Sequence, residues 1–183
     1  KILTYETNPP AGEWTRRALF VSDNIPDSAG NFYLLSDQAS FHVPSTYTIT
    51  KVYYGQTHTT AQSARDAIVA NINEGQLFVN YVGHSSITNW AGETIFRTTY
   101  EVPLLTNGGK LPVMLPMTCY DGYFHHPTLA SLEEALIRRV GGGSVAGWAS
   151  SGLGIAHGHD YLNRGFFDAL FCNGVDRLGL ATM

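Results

Sequence analysis

The chain is poor in cysteine, in charge and in basic clusters, and each shortage excludes a class of protein. Its 183 residues include two cysteines, too few for a fold held together by a disulfide framework. Charged residues make up 14%, the formal net charge is −4, and lysine and arginine nowhere cluster, which excludes a typical nucleic-acid-binding protein. No apolar run approaches the roughly 20 residues needed to cross a bilayer, so we expect no membrane insertion.

What the chain does have is enough apolar material for one domain of ordinary size. Hydrophobic residues make up 44% of the sequence. No signal peptide is recognisable and the chain does not begin with methionine, so we expect residues 1–183 to be a single domain excised from a longer, multidomain protein. Low charge and only three lysines favour an exported bacterial protein, extracellular or on the cell surface.

Short apolar strands alternate with helical segments along the chain. Strand patterns lie at residues 18–21, 47–54, 77–82, 111–117 and 144–149. Helical patterns lie at residues 59–75, 131–140 and 161–171, with weaker ones at 31–35 and 102–105. Ser131 and Glu134 form a capping-box pattern. This order predicts an α/β fold with a mostly parallel sheet and helices on both faces.

Two of these strands lead directly to reactive side chains. Residues 77–82 precede His84, and residues 111–117 precede Cys119. Because parallel strands end at one rim of a sheet, we expect both side chains at the rim where α/β proteins place their chemistry. A cysteine needs a base or a cationic neighbour to become a good nucleophile. The pattern therefore predicts a Cys119–His84 pair, although either residue taken alone would more often be structural.

Other conspicuous features have plainer explanations than a second site. A Cys119–Cys172 disulfide is the less favoured alternative to two free thiols. His125–His126 and the tract from His157 to Asp160 would bind a metal ion only with a converging third ligand, so we predict no metal site. The glycines at 141–143 lack the lysine of a phosphate-binding loop and are interpreted as a helix stop.

Four blocks of the sequence, taken in order, resemble the gingipain family of cysteine peptidases, peptidase family C25. The blocks are residues 82–86 (VGHSS), 118–124 (TCYDGYF), 131–134 (SLEE) and 143–152 (GSVAGWASSG). Gingipains are relatives of caspases, so the resemblance implies a caspase-like fold and a cysteine endopeptidase acting on proteins or peptides without a required cofactor. It implies Cys119 as nucleophile, His84 as catalytic histidine, and the backbone amides of Ser85 and Cys119 as oxyanion donors.

The same resemblance suggests further site residues. Trp148, Ala149 and Ser150 would line the pocket for the substrate residue before the scissile bond. Asp23 or Glu93 would be a third catalytic partner or a specificity acid, since arginine- and lysine-specific relatives place an acid in that pocket. The residues themselves leave an Asx turn at Asp23 and a solvated loop carboxylate at Glu93 as alternatives. Some family members carry structural calcium, so the resemblance leaves a structural calcium ion open for this chain, although it contains no EF-hand-like loop.

One position departs from the family pattern. The family usually has glycine directly after the histidine, whereas this chain has Ser85. Serine still offers its amide but restricts the backbone more than glycine does. Two alternatives to hydrolysis therefore remain. One is a sortase-like transpeptidase of the same family, in which an amine replaces water. The other is a non-catalytic, peptidase-like module for binding or assembly within a larger surface protein.

Overall fold

Five parallel strands form the central sheet of the computed structural model, which describes residues 1–24 and 28–183. In chain order the strands are β1 (Arg17–Ser22), β2 (Thr48–Tyr53), β3 (Phe78–Val82), β4 (Asn89–Trp90), β5 (Phe96–Arg97), β6 (Val113–Met117) and β7 (Ala146–Gly147). The sheet order is β2-β1-β3-β6-β7, and β4 and β5 pair separately as a small antiparallel hairpin. Part of the loop predicted after β1, residues 25–27, lies outside the described residues.

Helices cover both faces of this sheet. They are α1 (Ile2–Thr7), α2 (Phe32–Ser40), α3 (Ala61–Glu74), α4 (Leu132–Arg138), α5 (Ala156–Phe171) and α6 (Leu178–Ala181), with short 3₁₀ turns at Glu13–Arg16 and Val102–Leu104. Within the described ranges, none of the helices has the length and apolar character of a bilayer-crossing segment.

Successive side chains along each strand point to opposite faces of the sheet, so the hydrophobic core is divided into one cluster on each face. Leu19 and Val79 pack with α3 and α4 in one hydrophobic cluster. Phe20 and Phe78 pack with α2, α5 and α6 in the other. The predicted α/β fold, with a mostly parallel sheet covered on both faces, is confirmed.

The helix ends show where local sequence rules held. The Ser131 hydroxyl accepts the Glu134 amide at 3.3 Å, and the Glu134 carboxylate accepts the Ser131 amide at 3.4 Å, as the capping box predicts. Helix α3 ends at Gly75, whose φ of 102° favours glycine. Helix α2 follows the N-cap Asn31, as predicted, but continues to Ser40.

Two predicted boundaries were wrong. Helix α5 begins at Ala156 rather than near Tyr161, because the His159 amide already donates to the Ile155 carbonyl at 3.0 Å. Strand β7 contains two residues instead of six, because the chain leaves the sheet after Trp148. Cys119 and Cys172 are both free thiols, so the disulfide alternative is excluded.

Candidate active site

The register of the sheet brings His84 and Cys119 to the same edge. Val82 pairs with Met117 across β3 and β6, and each reactive residue follows its strand end by two positions. Both residues line one cleft of about 330 Å³. His84 is exposed to solvent, and Cys119 is half-buried. The cleft therefore presents a thiol and an imidazole to the same ligand.

The remaining walls of the cleft are mostly apolar. The ring of Phe32, from α2, packs edge-on against the His84 ring with centroids 5.1 Å apart. Other lining residues come from the segment before α2, from the ends of β3 and β6, and from the region where α5 begins; they include Ser28, Ala29, Val82, Met117, Gly154, Ile155, Ala156, His157 and His159.

A short segment runs alongside Cys119. We call residues 118–122 the nucleophile loop, after the predicted role of Cys119, and residues 150–154 the cover segment. The Tyr120 amide donates to the Gly152 carbonyl at 2.9 Å, and the Gly122 amide donates to the Ser150 carbonyl at 3.0 Å. Tyr120 adopts a left-handed φ of 56°, which turns the chain sharply after Cys119. The cover segment thus extends over the loop that carries Cys119.

Ser85 joins the two loops of the cleft. Its hydroxyl donates to the Cys119 carbonyl and lies 3.0 Å from the Thr118 hydroxyl, which in turn donates to the Gly83 carbonyl at 2.5 Å. Among the described non-glycine residues, positive φ occurs at Ala91, Thr94 and Tyr120 and not at Ser85. A serine side chain therefore fits after His84 without backbone strain.

Asp23 lies behind the histidine and not in the cleft lining. Its buried carboxylate accepts the His84 amide at 3.1 Å and the Asn24 amide at 2.7 Å. Burial raises the pKa of Asp23 even though both amides favour its ionised form. A Cβ at Gly83 would stand 2.4 Å from the Asp23 Cβ, so this approach requires glycine. Asp23 thereby holds the backbone of His84.

Glu93 is an exposed carboxylate near the same corner. It accepts a hydrogen bond from the Asn24 side chain at 3.0 Å, and its backbone carbonyl accepts one from Arg65 at 2.7 Å. Its charge contributes to raising the pKa of Asp23. Glu93 is therefore connected to the site through Asn24 and Asp23.

The three residues expected in the substrate pocket lie elsewhere around the nucleophile loop. Trp148 packs against Phe166, with ring centroids 5.8 Å apart. Ala149 lies against Gly122, and the Ser150 hydroxyl donates to the Thr118 carbonyl. None of the three lines the cleft that contains Cys119 and His84. Their substrate-pocket role stays a prediction.

Two buried carboxyls, one in the nucleophile loop and one in α4, have no counterpart among the sequence predictions. Asp121 is fully buried and accepts the Trp90 indole N–H at 2.9 Å. Glu133 accepts the Ser144 hydroxyl at 3.3 Å, and its amide donates to the Asp121 carbonyl at 3.1 Å. Burial raises the pKa of Asp121 to about 7 and, together with the charge of Asp121, that of Glu133 to about 8. The capping box located Glu133, but no local pattern signals its burial.

Metal ligands do not converge in the part of the chain that the structure describes: no group of three or more histidine, cysteine or carboxylate side chains is placed to hold an ion.

The fold and the cleft define a caspase-like α/β domain that presents a cysteine and a histidine together. The sequence model of peptidase family C25 matches residues 1–183, and the chain belongs to this family. The resemblance seen in the sequence is confirmed.

Particular relatives are the gingipains of Porphyromonas gingivalis, which are cysteine proteinases. Gingipain R2 is 38% identical over 80 residues, which are 44% of this chain and 10% of that protein. Gingipain R1 is also 38% identical over 80 residues, 8% of its length. The crystal structure of the Arg-specific cysteine proteinase gingipain R (RgpB) has a TM-score of 0.82 at 27% identity. It is matched over 99% of this chain and 43% of that chain, so this chain spans less than half of the crystallised relative.

A complex of the RgpB pro- and mature domains has a TM-score of 0.77 at 25% identity, over 92% of this chain and 40% of that chain.

Proposed function

We propose that this domain is a cysteine endopeptidase in which Cys119 is the nucleophile and His84 transfers the proton. The observation that supports this best is the register of β3 and β6, which directs both residues into one cleft. His84 accepts the thiol proton of Cys119 as the sulfur attacks the scissile carbonyl carbon, and it passes this proton to the leaving amine as the C–N bond breaks. Water then cleaves the thioester, which restores the Cys119 thiol and releases the new carboxyl group.

The oxyanion donors in this proposal are the backbone amides of Ser85 and Cys119. Within residues 1–24 and 28–183, neither amide donates a hydrogen bond to a protein acceptor, so both are available to a ligand. Rigid donors aimed at developing negative charge contribute a large share of catalysis. The hydrogen bond from the Ser85 hydroxyl to the Cys119 backbone carbonyl connects the two donor residues, which supports their joint use.

Asp23 acts in this mechanism as a positioning residue. Its hydrogen bond to the His84 amide holds the backbone at the point where the histidine leaves β3. Because its carboxylate already accepts two amides and stands outside the cleft lining, it is better placed for this role than for binding a substrate side chain.

We also propose that the domain acts on protein or peptide substrates outside the cell, together with other domains of its parent protein. The relatives are much longer than this chain, and one similar structure is a complex of pro- and mature domains. No cofactor enters the proposed steps.

The test is labelling of the purified chain with peptidyl electrophiles that differ in the residue before the reactive carbon. We expect covalent modification at Cys119, complete loss in Cys119→Ala, and full retention in the control Cys172→Ala. Peptide mapping by mass spectrometry identifies the modified cysteine, and the preferred reagent reports specificity. A folded wild-type chain that reacts with no member of the panel would contradict the proposal and favour the non-catalytic module. With a cleavable peptide substrate in place of the electrophile, incorporation of an added amine into the product would favour transpeptidation.

A further inference from the structure

Gly154 lies directly against the sulfur of Cys119. Its amide nitrogen is 3.4 Å from Cys119 Sγ, and its carbonyl oxygen is 3.6 Å from the same atom. One residue of the cover segment therefore contacts the sulfur with both a donor and an acceptor. No motif in the sequence marks this glycine.

His159 stands immediately behind Gly154. A Cβ built on Gly154 would lie 2.3 Å from His159 Nε2 and 2.4 Å from Cε1, distances that real carbon atoms do not tolerate. Gly154 does not have a positive φ, so the His159 side chain, and not the backbone conformation, opposes a larger residue here. The imidazole is part of α5, and burial lowers the pKa of His159, which favours its neutral form.

The other end of the cover segment is also anchored. Gly152 and Ser150 accept amides of the nucleophile loop, and the Ser150 hydroxyl donates to the Thr118 carbonyl. With hydrogen bonds on one side and the His159 ring on the other, the segment has little freedom to move away from the sulfur.

We propose that Gly154 is a positioning residue that holds the Cys119 sulfur toward the cleft, and that His159 is the stop that keeps Gly154 in place. This inference rests on the proposed function. A cysteine side chain has three staggered χ1 positions, and the Gly154 contacts favour the one observed. Because attack requires reacting atoms within about 3–3.5 Å, displacement of the sulfur by about 1 Å can reduce the rate by up to about a hundredfold.

The experiment compares two labelling rates at Cys119, one with a peptidyl chloromethyl ketone and one with iodoacetamide. The peptidyl reagent binds in one orientation and needs the positioned sulfur, whereas the small reagent can reach the sulfur from several directions. Peptide mapping separates Cys119 from the exposed Cys172, which serves as internal reference. The ratio of the two rates measures positioning independently of the total amount of folded protein.

We expect Gly154→Ala to lower this ratio about tenfold or more, because the new methyl group must push the segment off His159. His159→Ala should lower it about threefold, because the stop is removed. In the double variant the methyl group introduced by Gly154→Ala occupies the space that the imidazole vacates, so the ratio should return to near the wild-type value. Gly165→Ala, in α5 but outside the cleft lining, is the matched control, since nothing lies within 4 Å of a Cβ at that position.

The outcomes separate this inference from the peptidase proposal. If the wild type reacts but His159→Ala leaves the ratio unchanged, or the double variant does not restore it, the positioning role of Gly154 is overturned and the proposed peptidase function still stands. The same two variants test the role of Gly154 if Gly154→Ala by itself does not fold. Direct contact of His159 with the substrate would lower the His159→Ala ratio too, but adding Gly154→Ala would not repair it. A wild type that no peptidyl reagent modifies overturns the proposed function and this inference with it.

Discussion

At the scale of single residues, Ser85 connects the two loops of the cleft through a hydrogen bond. A glycine at this position would leave the Cys119 carbonyl without the hydroxyl donor that the structure shows. The serine also contacts the Thr118 hydroxyl, so three polar groups connect the end of β3 to the end of β6. The substitution that departs from the family pattern therefore adds a cross-connection between the proposed oxyanion donors.

Ser85→Ala tests this connection. Loss of one hydrogen bond of about 0.5–1.5 kcal/mol should slow the reaction of Cys119 with a peptidyl electrophile about twofold to tenfold. Ser85→Gly should be slower again, because glycine adds backbone freedom. Ser86→Ala is the control, since the exposed Ser86 hydroxyl bonds to Asn89 within its own turn. Equal labelling rates for Ser85→Ala and wild type would mean that the hydroxyl has no part in positioning the loops.

Among the elements, the β4–β5 hairpin supports the cleft from behind. Trp90 stacks on Tyr81 of β3 with ring centroids 4.4 Å apart, and its indole N–H donates to Asp121 in the nucleophile loop. The following amide, that of Ala91, donates to the His84 carbonyl at 2.8 Å. One hairpin is thus hydrogen-bonded to both the histidine and the cysteine sides of the cleft.

Trp90→Phe keeps an aromatic ring on Tyr81 but removes the donor to Asp121. We expect a loss of about 2 kcal/mol or more in the free energy of unfolding, because a buried acceptor is left unpaired, and slower peptidyl labelling of Cys119. Urea unfolding of Trp90→Phe, Asp121→Ala and the double variant should give a coupling energy of about 1 kcal/mol or more.

The matched control for this cycle is Trp14→Phe. The Trp14 indole donates to the Pro10 carbonyl at 2.9 Å, outside the cleft. This variant should lose stability while Cys119 labelling stays at the wild-type rate. Additive effects of Trp90→Phe and Asp121→Ala would show that the two side chains act separately.

Element prediction succeeded where the signal is local and failed where it depends on packing. The caps at Thr60 and Ser131 are written in adjacent residues, and both helices follow them. Helix α5 has no side-chain cap at its start, so no local signal marks its first turn, which includes His159. The β4–β5 hairpin has only two residues in each strand, too few to show a periodic pattern.

For the molecule as a whole, the unpaired oxygens of two buried carboxyls are the most consequential electrostatic feature. Asp121 and Glu133 each have one oxygen without a hydrogen-bond partner among the described residues. Lys1 is the cation whose charge favours ionised Glu133, while the charge of Asp121 opposes it. Burial of both groups therefore favours their protonated forms in the folded state.

Stability should consequently fall as the pH rises. Unfolded carboxyls ionise near pH 4, whereas the folded pKa values are about 7 for Asp121 and about 8 for Glu133. Between these limits the folded state binds more protons, so each carboxyl lowers the free energy of unfolding by up to about 1.4 kcal/mol per pH unit. Above about pH 8 this contribution is constant. Urea unfolding from pH 5 to pH 8 should show the decline.

Asp121→Asn and Glu133→Gln identify the source of that decline. Each removes one titrating group, and the side-chain amide introduced by Asp121→Asn retains an oxygen that can accept the Trp90 N–H. Both variants should lose less stability between pH 5 and pH 8 than wild type does. Glu74→Gln, at an exposed carboxylate, is the control and should follow the wild-type curve. Parallel curves for all four proteins would place the titration elsewhere.

The cleft illustrates which part of a site can be predicted from sequence. His84 and Cys119 follow apolar strands, and the ends of parallel strands lie at one edge of a sheet, so their proximity could be predicted. Gly154 reaches the sulfur, with His159 behind it, only because β7 ends early and α5 begins early. Asp121 and Glu133 become buried neighbours through the packing of α4 against the nucleophile loop, and no spacing along the chain encodes that contact.

The Val82–Met117 register has a consequence for which changes in length the chain can accept. Side chains alternate between the faces of a strand, so one residue inserted into or deleted from β3 or β6 would reverse every side chain beyond it. His84 or Cys119 would then point away from the other. The connection between these strands is not constrained in this way, because residues can be inserted near the exposed Thr99 and Tyr100 without shifting either strand. Variation in length should therefore accumulate in that connection, and the two five-residue strands should keep their count.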